Sequence, residues 1–410
     1  MMGEGTPDRM VCTACGATTP IERVPSTCPE CDGILDLFLG EKAGDARAPS
    51  PAGASEGLWV WADHLPHCKP QNRITLGEGN SPLLAAPRLG KALGVDDLWI
   101  KNDSLQPSGS FKDRAVALAT SLACEYGRDA MVLSSSGNAG ASSAAYAARA
   151  GLPLFVLVPK TAPPAKLRQI VVAGAHLVTV DGQTHDCCRL AKEAAETMGW
   201  VNLTTTYHNP YGVDAYATIA YELAALKPDV LLLPISSGPL LGGMMKGFER
   251  LKRLGLVDRI PRPIAVQTAA CAPIVAAYRS GGAVEPWAHQ HTIASALNDT
   301  LAGYERDGDY TLSFIRRHGG AAVAVDDQAI VEAVRLTAAC EGVVLEPSAA
   351  VPIAALRHAR DALGITGDER IVAVTTGHGL KDLSTVEEAA LPTPIAPEFG
   401  ALEPLLKRTY

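Results

Sequence analysis

Lys112 stands in Gln106-Pro-Ser-Gly-Ser-Phe-Lys-Asp-Arg114, where a run of small residues delivers a lysine to the start of a helix. A lysine on a helix is ordinarily a solvated surface charge. Behind the turn Pro107–Phe111 it reads instead as a desolvated amine, which loses proton affinity and becomes a nucleophile and base. Three other small-residue loops accompany it. Ser134-Ser-Ser-Gly-Asn138 and Ser236-Ser-Gly-Pro-Leu-Leu-Gly-Gly243 each follow an apolar run and open a helix-length segment, and Thr375-Thr-Gly-His-Gly-Leu-Lys-Asp382 ends the last clear apolar run. Small residues let the backbone approach a phosphate, and a helix start supplies N–H groups and a favourable dipole. The hydroxyls and amides of Ser135 and Ser136 suit a carboxylate. Each loop alone is a weak signal, since Ser134–Asn138 also reads as N-cap and turn chemistry.

Taken together, the four loops meet the needs of pyridoxal phosphate. Lys112 supplies the Schiff base, Ser236 to Leu240 the phosphate cradle, and Asn138 a partner for the ring oxygen O3′. A threonine of the last loop facing the pyridine nitrogen leaves that nitrogen largely unprotonated. His378 reads as a loop residue without a catalytic role.

A second constellation lies upstream. Cys12, Cys15, Cys28 and Cys31 have the spacing C-x2-C-x12-C-x2-C, two tight turns that aim four thiolates at one tetrahedral zinc. Four thiols with no open position or histidine predict a structural site, with Ile21–Thr27 joining the turns. Cys68, Cys124, Cys187, Cys188, Cys271 and Cys340 read as buried thiols. Cys187-Cys188 falls at a helix start.

The elements that carry these loops read as an alternating pattern. Met131–Ser134, Leu154–Pro159, His176–Val180, Val230–Pro234, Ile264–Gln267 and Ile371–Thr375 read as buried strands, separated by helices such as Ala139–Ala150 and Cys188–Met198. Strands that are apolar throughout predict an α/β class with parallel sheets covered on both faces. The loops after Leu133, Pro234 and Val374 then lie at strand carboxyl ends, where such sheets bind ligands. Residues 8–38 are predicted to form the zinc ribbon and the Gly/Ala/Pro-rich 39–57 a linker, leaving 58–395 for the catalytic core. At 410 residues, 47% hydrophobic and 20% charged, the chain is globular in composition. A net charge of −8 with dispersed Lys and Arg speaks against a nucleic-acid surface. No apolar run reaches 18 residues and no signal peptide is visible, so a cytoplasmic protein that does not engage the membrane is expected. A homodimer is expected as well.

Thr75-Leu-Gly-Glu-Gly-Asn-Ser-Pro-Leu83, Pro107–Arg114, Ser135–Asn138, Leu345-Glu-Pro-Ser-Ala-Ala350 and Thr376–Asp382 resemble the threonine synthases, within the fold-type II pyridoxal-phosphate enzymes (the tryptophan synthase β-subunit family). The resemblance runs from about Leu58 to Asp382. It implies two parallel-sheet subdomains, the smaller at about 120–206 moving over the substrate. It also implies Lys112 as Schiff-base lysine, Asn138 at O3′, and Ser236, Ser237, Gly238, Pro239 and Leu240 at the cofactor phosphate. Thr376 would face the ring nitrogen, with Ser135 and Ser136 at the α-carboxylate of an amino acid substrate. The implied reaction turns O-phosphohomoserine and water into threonine and phosphate.

This chain departs from the family pattern at four positions. Gly212 and Ala217 stand where relatives commonly carry Arg and Lys, Ala139 where Thr is frequent, and Pro239 removes one N–H from the phosphate loop. A phosphate dianion needs a cation, so Arg114, Lys246 or a cation not evident in the sequence must supply it. These losses keep open β-replacement on a serine derivative or dehydration of a hydroxy amino acid. A non-catalytic zinc-ribbon binding protein is the alternative from another class.

Overall fold

Apolar runs bounded by small residues become strands, and the Ala-rich stretches between them become helices. The computed structural model describes residues 8–39, 54–162, 164–204, 206–288, 291–383 and 393–409. Most of the expected linker, and 384–392 near the end of the expected core, lie outside these residues. In the ribbon, β1 (Arg9–Cys12) pairs antiparallel with β2 (Thr18–Pro20) and β3 (Leu35–Phe38). Ile21–Arg23 forms a single 3-10 turn.

The core holds two sheets. β4 (Leu83–Ala85) runs antiparallel to β5 (Asp97–Asn102), and the helix Lys112–Glu125 then carries the chain into the smaller sheet. There β6 (Met131–Ser134), β7 (Leu154–Pro159), β8 (His176–Val180) and β9 (Val201–Asn202) lie parallel in the order β8-β7-β6-β9. The chain returns as β10 (Val230–Pro234), β11 (Arg262–Thr268), β12 (Ala321–Val325) and β13 (Arg370–Thr375). With β5 and β4 they give the larger sheet, β12-β11-β10-β13-β5-β4. β10 is buried throughout, as a central strand covered on both faces must be. Two expectations need correction. β8 is an edge strand, half exposed rather than buried. Cys124, Cys188 and Cys340 are only partly buried.

β5 escapes the apolar pattern because it carries Lys101, buried with its Nζ 2.6 Å from Ser81 O and 2.5 Å from Glu222. Glu222 also meets Arg114, whose guanidinium forks onto Asp103 at 2.8 and 2.9 Å. Burial by itself would raise the Glu222 carboxyl, yet Arg114 and Lys101 pull it down to about 2. This network fixes the base of the Lys112 turn. Among the described residues, no helix is long and apolar enough to cross a membrane.

Candidate active site

The turn before Lys112 is stitched to the loop after β13. Phe111 N donates to Thr376 O at 2.9 Å and His378 N to Gly109 O at 3.0 Å, with Gly109 at φ +80. Lys112 is the first residue of its helix and is half-buried. Its Nζ lies 4.6 Å from the centre of the Phe111 ring, which leans on Tyr216. Burial lowers the Lys112 amine to about 8, against the opposing fields of Asp299 and Glu346. Asp113 secures the turn, accepting from Ser108 N at 2.6 Å and from the Ser108 and Ser142 hydroxyls at 2.5 Å.

The loop after β6 arrives from the smaller sheet. Ser135 and Ser136 are half-buried, and Gly137 N donates to Ser135 Oγ at 3.2 Å. Asn138 opens the helix Asn138–Ala150, and its Nδ2 reaches both Glu346 oxygens at 2.9 and 3.1 Å. Glu346 N donates in turn to Gly377 O at 3.1 Å. Asn138 and the Thr376–Gly377 loop are thus tied through one residue, Glu346, by its carboxylate on one side and its backbone N–H on the other, although they hang from different sheets. Thr376 is buried beside them.

Ser236 to Leu240 follow β10 and lead into the helix Pro239–Arg253. Thr311 Oγ1 donates to Ser237 O at 2.5 Å, Gln267 Nε2 to Ser236 O at 3.2 Å and Tyr207 Oη to Gly238 O at 3.3 Å. Each of these side chains binds a carbonyl of the loop and none of its amides. Gly238 sits at φ +100, and a Cβ there would come within 2.3 Å of Thr311. Only glycine fits there, on both the backbone angle and the space. Pro239 occupies the first helical position, where its fixed φ suits the turn.

Two of the four departures meet at one place. Gly212 and Pro239 line one narrow crevice, with Ala115, Asn209 and Tyr216. A Cβ on Gly212 would meet Asn209 Nδ2 at 3.0 Å and Ala115 at 3.1 Å, so the packing has closed over the place of a longer side chain. Neither substitute cation is free to replace it. Arg114 is fully buried on Asp103 and Glu222, and Lys246 is paired with Asp36 and Asp214.

Sequence reasoning missed Asp299. Its Oδ1 accepts from Tyr304 Oη at 2.6 Å and Leu301 N at 3.2 Å, and its charge is felt by Lys112 and Cys188. Burial raises its carboxyl, while Tyr304, Leu301 and Lys112 oppose that. Leu301 stands at φ +57, an uncommon backbone conformation for leucine. Asp299 lies in Leu297-Asn298-Asp299-Thr300, with no pattern to mark it.

In the ribbon the four Sγ atoms lie within 4.8 Å of one another, with Cys12–Cys31 at 3.5 Å and Cys15–Cys28 at 3.8 Å. Sulfurs about 2.3 Å from a tetrahedral zinc stand about 3.8 Å apart, so the geometry fits that ion. Gly33 packs so closely that a Cβ would lie 2.7 Å from Cys12 Sγ.

Residues 74–377 match the family model described as pyridoxal-phosphate dependent enzyme. A threonine synthase from Methanocaldococcus jannaschii is 33% identical over 405 residues, covering 97% of this chain and 98% of its own. One from Mycobacterium bovis is 34% identical, covering 82% and 92%. Among solved structures, maize serine racemase superposes with TM-score 0.64 at 22% identity, covering 80% of this chain and 93% of its own. A fungal L-serine ammonia-lyase from Rhizomucor miehei gives 0.61 at 23%, covering 73% and 94%. At such identity these two speak to the fold alone.

Proposed function

Since the chain belongs to the pyridoxal-phosphate-dependent enzymes, and its curated relatives over most of its length are threonine synthases, we propose that it converts O-phosphohomoserine and water into threonine and phosphate. The observation that carries this is the stitching of the loop after β13 to the Lys112 turn, with Asn138 of the loop after β6 tied to that loop through Glu346. The residues fit the cofactor. Lys112 would hold its aldehyde, the amides of Ser236 to Leu240 its phosphate, Asn138 its O3′ and Thr376 its ring nitrogen. Bound there, pyridoxal phosphate supplies an electron sink that acidifies hydrogens at the substrate's α- and β-carbons.

The chain's own groups do the rest. Ser135 and Ser136, with the amides opening the helix Asn138–Ala150, bind the α-carboxylate and orient the Cα–H bond. Lys112 Nζ, lowered towards neutrality by burial, takes the Cα proton and carries protons to and from Cβ. Asn138 is kept in place by Glu346. The smaller sheet is read as the part that closes over the substrate and excludes water.

The four thiolates are read as a structural zinc site, which elemental analysis showing one zinc per chain would support. A homodimer in the cytoplasm completes the reading; light scattering at twice the chain mass checks the first half. Incubation of cofactor-loaded protein with O-phosphohomoserine should release threonine and phosphate in equal amounts. No turnover at high substrate refutes the assignment. The crevice at Gly212 and the commitment of Arg114 and Lys246 to carboxylates favour a second reading, β-replacement or dehydration on an unphosphorylated amino acid. Turnover of serine derivatives without turnover of O-phosphohomoserine selects it.

A further inference from the structure

The ribbon is docked on the catalytic core. Ile34 packs with Tyr207, Val213 and Tyr310, and Tyr211 Oη donates to Ile21 O at 2.6 Å. Asp36 on β3 pairs with Lys246, in the helix that follows the phosphate cradle, and accepts from Tyr310 Oη at 3.0 Å. Those contacts fix the ribbon to the part of the core built on the larger sheet. Asp32 reaches further. One of its oxygens meets Lys192, in the helix Thr184–Met198 that covers the smaller sheet, and the other meets Arg306 Nη2 at 2.9 Å, at the start of the helix Glu305–Arg317 beside the larger sheet. A single carboxylate therefore takes one cation from each side of the cleft.

The position of Asp32 is set by the cysteine turn. It follows Cys31 at φ +59, its N–H donates to Cys28 O at 2.8 Å, and its Oδ1 accepts from Thr27 Oγ1 at 2.6 Å. The turn that holds Cys28 and Cys31 on a metal also aims this carboxylate.

We propose that the ribbon is a metal-organised strut in which Asp32, acting on Lys192 and Arg306, sets the resting spacing of the two sheets across the active-site cleft. Asp32 is a positioning residue, remote from the reacting atoms. Its ion pairs are partly exposed, so each is weak. A strut of this strength holds one arrangement without preventing the sheets from moving. The inference rests on the zinc reading for the metal and on the two ion pairs for the strut.

The test uses full-length, cofactor-loaded protein carrying Asp32→Asn, Lys192→Ala or both, with zinc content measured for each. Hydrogen exchange is followed in peptides of the helix Thr184–Met198. Lys192→Ala leaves the cysteine turn untouched, so it remains informative even where Asp32→Asn disturbs the metal. Exchange in that helix should quicken about threefold in each single variant, the scale of one partly exposed ion pair, with the double variant no faster. Lys192→Arg should restore the parent rate, and Glu196→Ala, which removes only the pair that Lys192 makes within its own helix, should leave the response to Asp32→Asn intact. Chelation of zinc should loosen the same helix in the parent and add nothing in Lys192→Ala. The strut is overturned if Lys192→Ala leaves the exchange unchanged, or if chelation loosens the helix equally with and without Lys192. Parent protein free of zinc refutes the metal's part, and the response to Lys192→Ala still decides the ion pair.

Discussion

Capture of pyridoxal phosphate by the apoprotein should follow the ionisation of Lys112, because only the neutral amine attacks an aldehyde. With its amine lowered to about 8 by burial, about one Lys112 in eleven is neutral at pH 7. At the ordinary value of 10.5 the share would be about one in three thousand, so the cleft gains about 300-fold in reactive amine. Stopped-flow absorbance after mixing apoprotein with cofactor should give a rate that climbs with pH, is half-maximal near 8 and levels off about one unit above. Asp299 supplies the sharper perturbation. Its negative charge favours the protonated amine, so Asp299→Asn should move the midpoint to lower pH and speed capture at pH 7. Tyr304→Phe removes a donor that favours the ionised carboxylate, so the midpoint should move in the same direction but less. A midpoint near 10 in the parent refutes the desolvated-lysine argument. A midpoint that rises in Asp299→Asn refutes the placement of that carboxylate.

Other substitutions test the frame around the lysine. Gly238→Ala puts a Cβ into Thr311 at a backbone angle that alanine resists, so cofactor affinity by equilibrium dialysis should fall about tenfold or more. Arg114→Met leaves the buried Asp103 without its cation and Glu222 with Lys101 as its one remaining ion-pair partner, so urea unfolding should show a loss of about 3–5 kcal/mol. Arg114→Lys should recover part of it, since an ammonium cannot fork onto two carboxylates. Glu222, held down to about 2 from an ordinary 4.5, adds stability above the unfolded value that is lost as pH falls from 4.5 through 2. Arg114→Met should flatten that acid limb in melts recorded against pH. Cys28→Ser should abolish zinc retention while leaving Lys112 reactive, as measured by elemental analysis and cofactor capture.

What the sequence made legible is what it encodes locally. Lys112, the three partner loops and the four cysteines stand in short motifs whose spacing carries their meaning. β6, β7 and β10 are uninterrupted apolar runs, and their bounds follow from that. β5 was hidden because Lys101 interrupts its apolar text, and a buried lysine is tolerable only with Glu222, more than a hundred residues away. β12, Ala-Ala-Val-Ala-Val, reads as readily as helix, and only its pairing with β11 decides. Asp299 and the bond from Asn138 to Glu346 are products of tertiary placement, with no periodic signal. The same holds for the sequestering of Arg114 and Lys246, since the paired state of a cation is not written beside it. The docking of the ribbon joins Asp32 to Arg306 across most of the chain, beyond the reach of any local pattern.

On the proposed function, Lys112 carries pyridoxal phosphate covalently. Borohydride reduction of the loaded protein, followed by peptide mass mapping, tests it most directly. The label should fall on the peptide containing Lys112, and the visible band should vanish on reduction and be absent from Lys112→Ala. A label on Lys101 or Lys381, or an unchanged band in Lys112→Ala, would show that the cofactor is held by another lysine.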